Sequence, residues 1–365
     1  MNDLDELRRH VLGHARVQDM AGAEYEAVLS RITNDDGDTP GSWVAEWTRT
    51  GEGLAREGKH LEALRHFNIA RFPYVDGPAR AAALNRAIQA FDRWRRAVPG
   101  IERLDVDLPG GRVRCWTAGL SGGGNRPLLL MMGGIVTIKE QYAPLLAQAE
   151  QLDLAGVVTE IPGAGENTLR YDADSPAMVS AVLDAIADRT DVSRTYAIAL
   201  SFAGHLVLRA ALADGRIRGV VTTGAPIGAF FTDAAWQARL PKLTRDTLAH
   251  VTGTAPDAVG AHIRGWELTA GQIAALDIPI AYVASTRDEI VPPADLVRLR
   301  GYARHLDMIE KDDVHGAPGH VDEVRLWTLL SALRMCGDRP AQAATLEAAL
   351  GALGQPGAPA GARRR

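Results

Sequence analysis

Up to about Pro99 the apolar positions recur at intervals of three and four, as in Leu54, Leu61, Leu64 and Phe67, then Ala83, Ala87, Ile88 and Phe91. That period puts them on one face of successive helices, and no alternating stretch interrupts it. GEGLAREGKHLEALRHFNIARF reads as a helical hairpin of tetratricopeptide type, with small residues where two helices would touch, but it has no second copy at a fixed period. From Ile101 the pattern becomes that of short strands: IERLDVDL, then RVRCWTAG after the turn Pro109-Gly110-Gly111, then the wholly apolar PLLLMM, with SGGGN as the loop between the last two.

Beyond PLLLMM strands and helices alternate. A helix over about 140–154 precedes the strand GVVTEIP, and a helix over about 177–187 precedes TYAIAL, which runs into the helix after Ser201. RGVVTTGAP, IPIAYVAS, a helix over about 296–302, LDMIEK and a helix over about 322–335 complete the series. Regular alternation of this kind predicts an α/β fold, a mostly parallel sheet covered by helices on both faces. The rhythm breaks over about 228–275, a polar helical insertion expected to lie over the carboxyl edge of the sheet, where such folds bind ligands. The expected organisation is a helical lid or dimerisation domain over 1–99, the α/β domain with its insertion over 100–338, and a flexible Ala/Gly/Pro-rich tail over 339–365.

The composition narrows the function. With 365 residues, 46% hydrophobic, 23% charged and a formal net charge of -5, the chain suits a soluble globular protein and disfavours nucleic acid as its main partner. Cys115 and Cys336 have neither metal-ligand nor CxxC spacing, so they are expected to be ordinary thiols, without a disulfide, in a reducing compartment. MNDLDELRRH is too charged for a secretory segment, and the longest apolar run, LLLMMGGIVTI, is too short to span a bilayer. The expectation is a cytoplasmic protein acting on a small molecule, with no metal, cofactor, nucleic-acid or membrane partner.

Ser201 is the candidate nucleophile, because it ends an apolar strand and opens a helix whose free N–H groups can stabilise an anion. Ala199 and Ala203 occupy the places where the strained turn G-x-S-x-G has glycine. A serine hydroxyl needs a base, and the base needs an orienting carboxylate. The acid is expected in STRDEIVPP, at Asp288 with Glu289 as competitor, and the base in EKDDVHGAPGHVDE, at His315 with His320 as competitor. His205 is expected to pack under the elbow. The backbone N–H groups of Phe202 and Gly134 are the candidate oxyanion donors. In the insertion, Phe230, Phe231 and Trp236 are expected to line an apolar pocket above Ser201. Asp233 among them is either an auxiliary acid with a raised pKa or the N-cap of AAWQARL.

GGIVTIKEQY after the third strand, PGAGE after the fourth, ALSFAGH, RDEIVP and the last histidine loop together resemble a family of α/β-hydrolases with an N-terminal helical domain. That family is related to pseudooxynicotine hydrolase, fungal heptaketide-shortening hydrolases and the fermentation-respiration switch esterases. Gly133, Gly134, Lys139 and Glu140 match its distinctive G-G-x-x-x-x-K-E segment, while Ala199, Ala203 and Val136 depart from its usual pattern. The resemblance implies an α/β-hydrolase fold with a helical lid insertion, a triad of Ser201, Asp288 and His315, and serine-dependent chemistry on a carbonyl compound. Such enzymes sometimes cleave a carbon–carbon bond next to a ketone, and members in bacterial secondary metabolism tailor polyketide-like chains. From the residues alone, Lys139 and Glu140 are expected to start a helix as a solvated charge pair. The front end is expected to close one side of the cleft and contribute to a homodimer. The leading functional reading is hydrolysis of an ester, thioester or ketone-adjacent C–C bond. Elimination or ring closure on the same scaffold is the alternative, and a non-enzymatic binding module comes third.

Overall fold

The computed structural model describes residues 2–120, 126–149, 151–337 and 339–353, so the SGGGN loop and the end of the tail lie outside the described residues. The helical period of the front end resolves into α1 (Leu4–Val17), α2 (Gly22–Leu29), α3 (Trp43–Arg56), α4 (His60–Ala70) and α5 (Pro78–Arg95). Asp3 and Ser42 cap α1 and α3 by accepting N–H bonds from Glu6 and Ala45. α3 and α4 form the expected hairpin, and Gly51 is its close contact: a Cβ there would meet the Phe67 ring at 2.7 Å.

Eight strands follow: β1 (Ile101–Leu108), β2 (Gly111–Ala118), β3 (Leu128–Met132), β4 (Ala155–Thr159), β5 (Thr195–Ala199), β6 (Ile217–Thr223), β7 (Ile280–Ser285) and β8 (Leu306–Lys311). They form one sheet in the order β1-β2-β4-β3-β5-β6-β7-β8. The hairpin β1-β2 is antiparallel and joins β4 antiparallel, and every pairing from β4 through β3 to β8 is parallel. This is the α/β-hydrolase fold. The wholly buried runs of β3, β4 and β7 follow from cover on both faces. α6 (Ala177–Asp184), α7 (Phe202–Ala211) and the insertion form one face. The insertion consists of α8 (Ala229–Thr232), α9 (Ala234–Gln237), α10 (Lys242–Thr252), α11 (Val259–His262) and α12 (Ala270–Ala275). α4, α5 and α14 (Val321–Cys336) pack on the other face, and α13 (Pro293–Tyr302) lies between β7 and β8 in sequence.

Two elements differ from the pattern reading. The segment expected as a helix over 140–154 is a pair of 3₁₀ turns, Lys139–Gln141 and Ala143–Gln148. Its buried residues Ala143, Leu146 and Ala149 are spaced by three, the period of the tighter helix. Gly156 of β4 gives Leu146 room, since a Cβ there would lie 2.5 Å from Leu146 Cδ2. The stretch from Pro340, expected to be flexible, begins as a helix, α15 (Pro340–Leu353), tied to α14 by Arg334 and Glu347 at 2.9 Å. Alanine is the best helix former and proline suits the first helical position, so the composition read as low complexity propagates a helix once Leu346 and Leu350 have a face to pack on.

The front end is not a free appendage. Phe91 of α5 meets Trp116 of β2 with ring centres 4.9 Å apart, and Tyr74 stacks on His250 of α10 at 4.7 Å. Asn68 of α4 donates to Gln18 Oε1 at 2.7 Å and to Gln141 Oε1 at 3.1 Å, joining the helices to the first 3₁₀ turn. No helix among the described residues is long and apolar enough to cross a membrane. Cys115 and Cys336 are buried free thiols.

Candidate active site

β5 ends at Ala199, and the chain turns through Ser201 at φ 54° and ψ -128°, outside the backbone conformations open to an ordinary non-glycine residue. A strand meeting a helix at such a corner lifts the side chain over the sheet edge, beside the backbone N–H of Phe202 that opens α7, while the next two N–H groups donate to Leu200 O and Ser201 O. Ala199 and Ala203 are wholly buried in the positions usual for glycine. The place with no room for a methyl is one residue later. A Cβ on Gly204 would lie 2.8 Å from Ala199 O and 2.9 Å from Ala225 Cβ.

Ser201 Oγ lies 3.0 Å from His315 Nε2, and His315 Nδ1 lies 2.9 and 3.0 Å from the two carboxylate oxygens of Asp288. The N–H groups of Ile290 and Val291 each donate to Asp288 Oδ1 at 2.8 Å and so fix the carboxylate. Gly224, at φ +62°, leaves the space the imidazole fills, since a Cβ there would meet His315 Cε1 at 2.7 Å. Burial lowers the pKa of His315, but the charge and hydrogen bond of Asp288, with Glu289 behind them, outweigh it and hold the group above its ordinary value. A hydroxyl, an imidazole and a carboxylate in this order can pass a proton from the hydroxyl and stabilise the resulting imidazolium.

Gly134 faces the nucleophile across the end of β3: a Cβ added there would stand 3.1 Å from Ser201 Cβ. The loop that carries it is anchored at both ends by buried polar groups. Arg71, the C-cap residue of α4, donates to Val136 O at 2.5 Å, and Lys139 N donates to Glu160 Oε2 at 2.9 Å. Lys139 and Glu140, expected as a solvated pair, are instead 1% and 0% exposed. Lys139 Nζ meets Glu140, Glu160 and Glu166 at 2.9, 3.1 and 2.8 Å, because Glu160, just after β4, and Glu166 of the PGAGE loop bring two more carboxylates to one cation. Burial pushes Glu160 up to about 7. Arg71 bonds only neutral acceptors among the described residues, and burial pulls it down to about 10. No sequence motif marked Arg71 or the loop's dependence on it.

The competing residues separate cleanly. His320 Nδ1 contacts Asp313 at 3.3 Å at the foot of α14, and Glu289 accepts the backbone N–H of His315 at 3.0 Å. His205 is wholly buried under the elbow, with Nε2 2.8 Å from Trp266 O and its ring 4.3 Å from Phe231; burial pushes it down to about 3.

The insertion residues correct the sequence reading. Phe230 and Phe231 are fully buried and packed edge to face on each other, with Phe230 also edge to face on Phe202, so they support the elbow from beneath and are not among the residues that line the cavity holding Ser201. Trp236 is turned to Ile290, donating Nε1–H to its carbonyl at 2.7 Å. Asp233 is exposed and accepts the N–H of Trp236 at 2.9 Å, which makes it the N-cap of α9. A four-residue helix has to satisfy its first N–H groups somewhere, and the nearest carboxylate does so.

The cavity above Ser201, of about 760 Å³, is closed instead by α1 and by the start of α10, through Leu243 and Thr244. Among the described residues no cluster of His, Cys, Asp and Glu is placed to hold a metal ion.

Comparison with known proteins agrees with this architecture. The model of the family described as "Esterase FrsA-like" matches residues 35–270, more than half of the chain. The chain belongs to the FrsA-like esterase family. Esterase FrsA of Vibrio cholerae is 26% identical over 262 residues, a match spanning 63% of each protein. Esterase FrsA of Photobacterium profundum is 20% identical over 317 residues, 74% of each. Among solved structures, AbyA5 is 53% identical, covers 96% of this chain with all of its own, and superposes with a TM-score of 0.93. The 2,6-dihydroxy-pseudo-oxynicotine hydrolase shares the fold at 17% identity, with a TM-score of 0.68 over 89% of this FrsA-like chain and 93% of its own.

Proposed function

We propose that this FrsA-like protein is a serine-dependent hydrolase that cleaves an ester, a thioester or a ketone-adjacent C–C bond of a small molecule through an acyl-enzyme. The observation that carries the reading is the strained Ser201 with its hydroxyl 3.0 Å from His315, itself paired to Asp288. In this mechanism His315 takes the Ser201 proton as the oxygen attacks the carbonyl, and Asp288 holds the tautomer and stabilises the imidazolium. The N–H groups of Phe202 and Gly134 receive the developing oxyanion. His315 then protonates the leaving group, and a water molecule reverses the sequence to free the acid. A fluorophosphonate probe should label Ser201, with label found by mass spectrometry on the peptide containing it, and p-nitrophenyl acetate should be turned over. Absence of both would refute the acyl-enzyme.

The enclosure of His315, whose side chain is 15% exposed beneath the helical cover, supports a second reading, elimination or ring closure with His315 as the proton shuttle. Labelling of Ser201 without turnover of any ester, thioester or β-diketone would favour it.

A further inference from the structure

The front-end helix α1 presents two faces. Leu7, Val11 and Ala15 are fully buried in the helical domain, whereas His10, Gly13, His14 and Val17, at the spacing of one helical stripe, line the cavity that holds Ser201 and His315. The helix is clamped in that orientation. Its Glu6 accepts the N–H of Leu243 at 3.0 Å, and Arg325 donates to Val17 O at 3.1 Å and to Asp19 at 3.0 Å. Gly13 lets it approach the loop that carries His315, since a Cβ there would lie 3.3 Å from Pro318 Cβ.

The ring of His14 rests on Phe72 with centres 4.8 Å apart. Among the described residues, neither His10 nor His14 makes a side-chain hydrogen bond, although both rings stand in a largely apolar chamber. Burial, with Arg71, His10 and His315 nearby, pushes His14 down to about 3, and burial also lowers His10 despite Glu289 and Glu6. Both therefore stand neutral at physiological pH, each with one donor and one acceptor. Polar groups held without a partner inside an apolar wall are matched by a ligand that supplies one.

We propose that His10 and His14 form the polar recognition wall of the active site, and that His14 binds an uncharged oxygen function, a keto or hydroxyl group, on an otherwise apolar substrate. The proposal deepens the hydrolase reading by naming what the substrate presents to α1.

The test compares p-nitrophenyl hexanoate with the p-nitrophenyl esters of 4-oxo- and 5-oxohexanoic acid. Wild type should favour one oxo ester in kcat/KM by about five-fold, the scale of one neutral hydrogen bond. His14→Phe keeps a ring on Phe72 and should erase that preference, mainly through KM, the oxo ester losing about five-fold more in kcat/KM than the hexanoate; His14→Gln should restore part of it. A wild type without preference, a preference that survives His14→Phe, or an equal loss on all three esters would overturn the proposal. Binding of methyl hexanoate and its oxo analogues to Ser201→Ala, followed by saturation-transfer NMR, needs no turnover. The same order of binding, together with a wild-type enzyme that turns over none of these esters, would remove the hydrolase reading and leave this one. Loss of that order would remove this one alone.

Discussion

The insertion after β6 and the helix α1 both reach the carboxyl edge of the sheet, and they contribute in opposite ways. The insertion follows a core strand directly, carries the aromatic residues, and spends them on support: Phe230 and Phe231 fill the space under the elbow, and Asp233 caps a helix. α1 begins nearly two hundred residues before Ser201 in sequence, yet it sets two imidazoles beside the cavity. Nearness in sequence to a strand end identifies what holds the nucleophile. It does not identify what meets the substrate, because the open side of the edge is closed by whichever element packs there.

The largest effect is expected from removing the front end altogether. A chain beginning at Ile101 loses α1 and exposes Trp116 and the sheet face under α5, so it should be insoluble or inactive, judged by size-exclusion chromatography and ester turnover. A soluble, active fragment would show that α1 is no wall of the site.

Next in size is Ser201→Ala, which should stay folded while turnover falls by roughly three orders of magnitude or more. His315→Ala should follow it, whereas His320→Ala should lie within a few-fold of wild type; kcat on p-nitrophenyl acetate reads all three. Equal losses at the two histidines would contradict the geometry.

Asp288→Asn should lower kcat by about 100- to 10,000-fold. It should also move the pH profile, and the sign is fixed. Asp288 and Glu289 hold His315 above its ordinary value, so wild-type activity disappears as pH falls through a point above about 6.5, where the imidazole gains its proton. Without the Asp288 charge that acid limb shifts to lower pH. An unmoved limb in kcat/KM would mean that another group titrates.

A smaller effect separates support from contact. Phe230→Ala removes a fully buried ring and should cost about 3–5 kcal/mol in urea unfolding, with the ratio of rates on hexanoate and oxohexanoate esters unchanged. A changed ratio would return the insertion aromatics to the substrate pocket. Smallest of all, Asp233→Ala should lower stability by about 1 kcal/mol, as a lost cap does, and leave the rates alone. An effect on turnover without one on stability would revive Asp233 as an acid.

Much of the fold was legible because the inner strands of the parallel sheet are short apolar runs bounded by turn residues, too short for a usual helix, while the edge strand β8 mixes polar and apolar positions. The failures also have local causes. Residues 140–154 have apolar positions that fit three or 3.6 residues per turn, and the approach of Leu146 to Gly156 favours the tighter helix. The tail at Pro340 has good helix formers, but a helix of that length needs a packing face to persist, and the sequence does not show the face.

What the sequence determined by itself was the order of the chemical groups: a serine at a strand end, an acid and a histidine in the two loops that follow later strands. A chain that alternates strand and helix returns every such loop to the same sheet edge, so order along the chain becomes proximity in space. The surroundings of those groups were decided only by tertiary packing. Whether Lys139 stands in water or among three carboxylates, whether Phe230 faces a substrate or Phe202, and whether His14 meets solvent or the cavity depend on contacts between segments far apart in sequence. Burial and partner choice are properties of the assembled surfaces, and no local pattern of residues contains them.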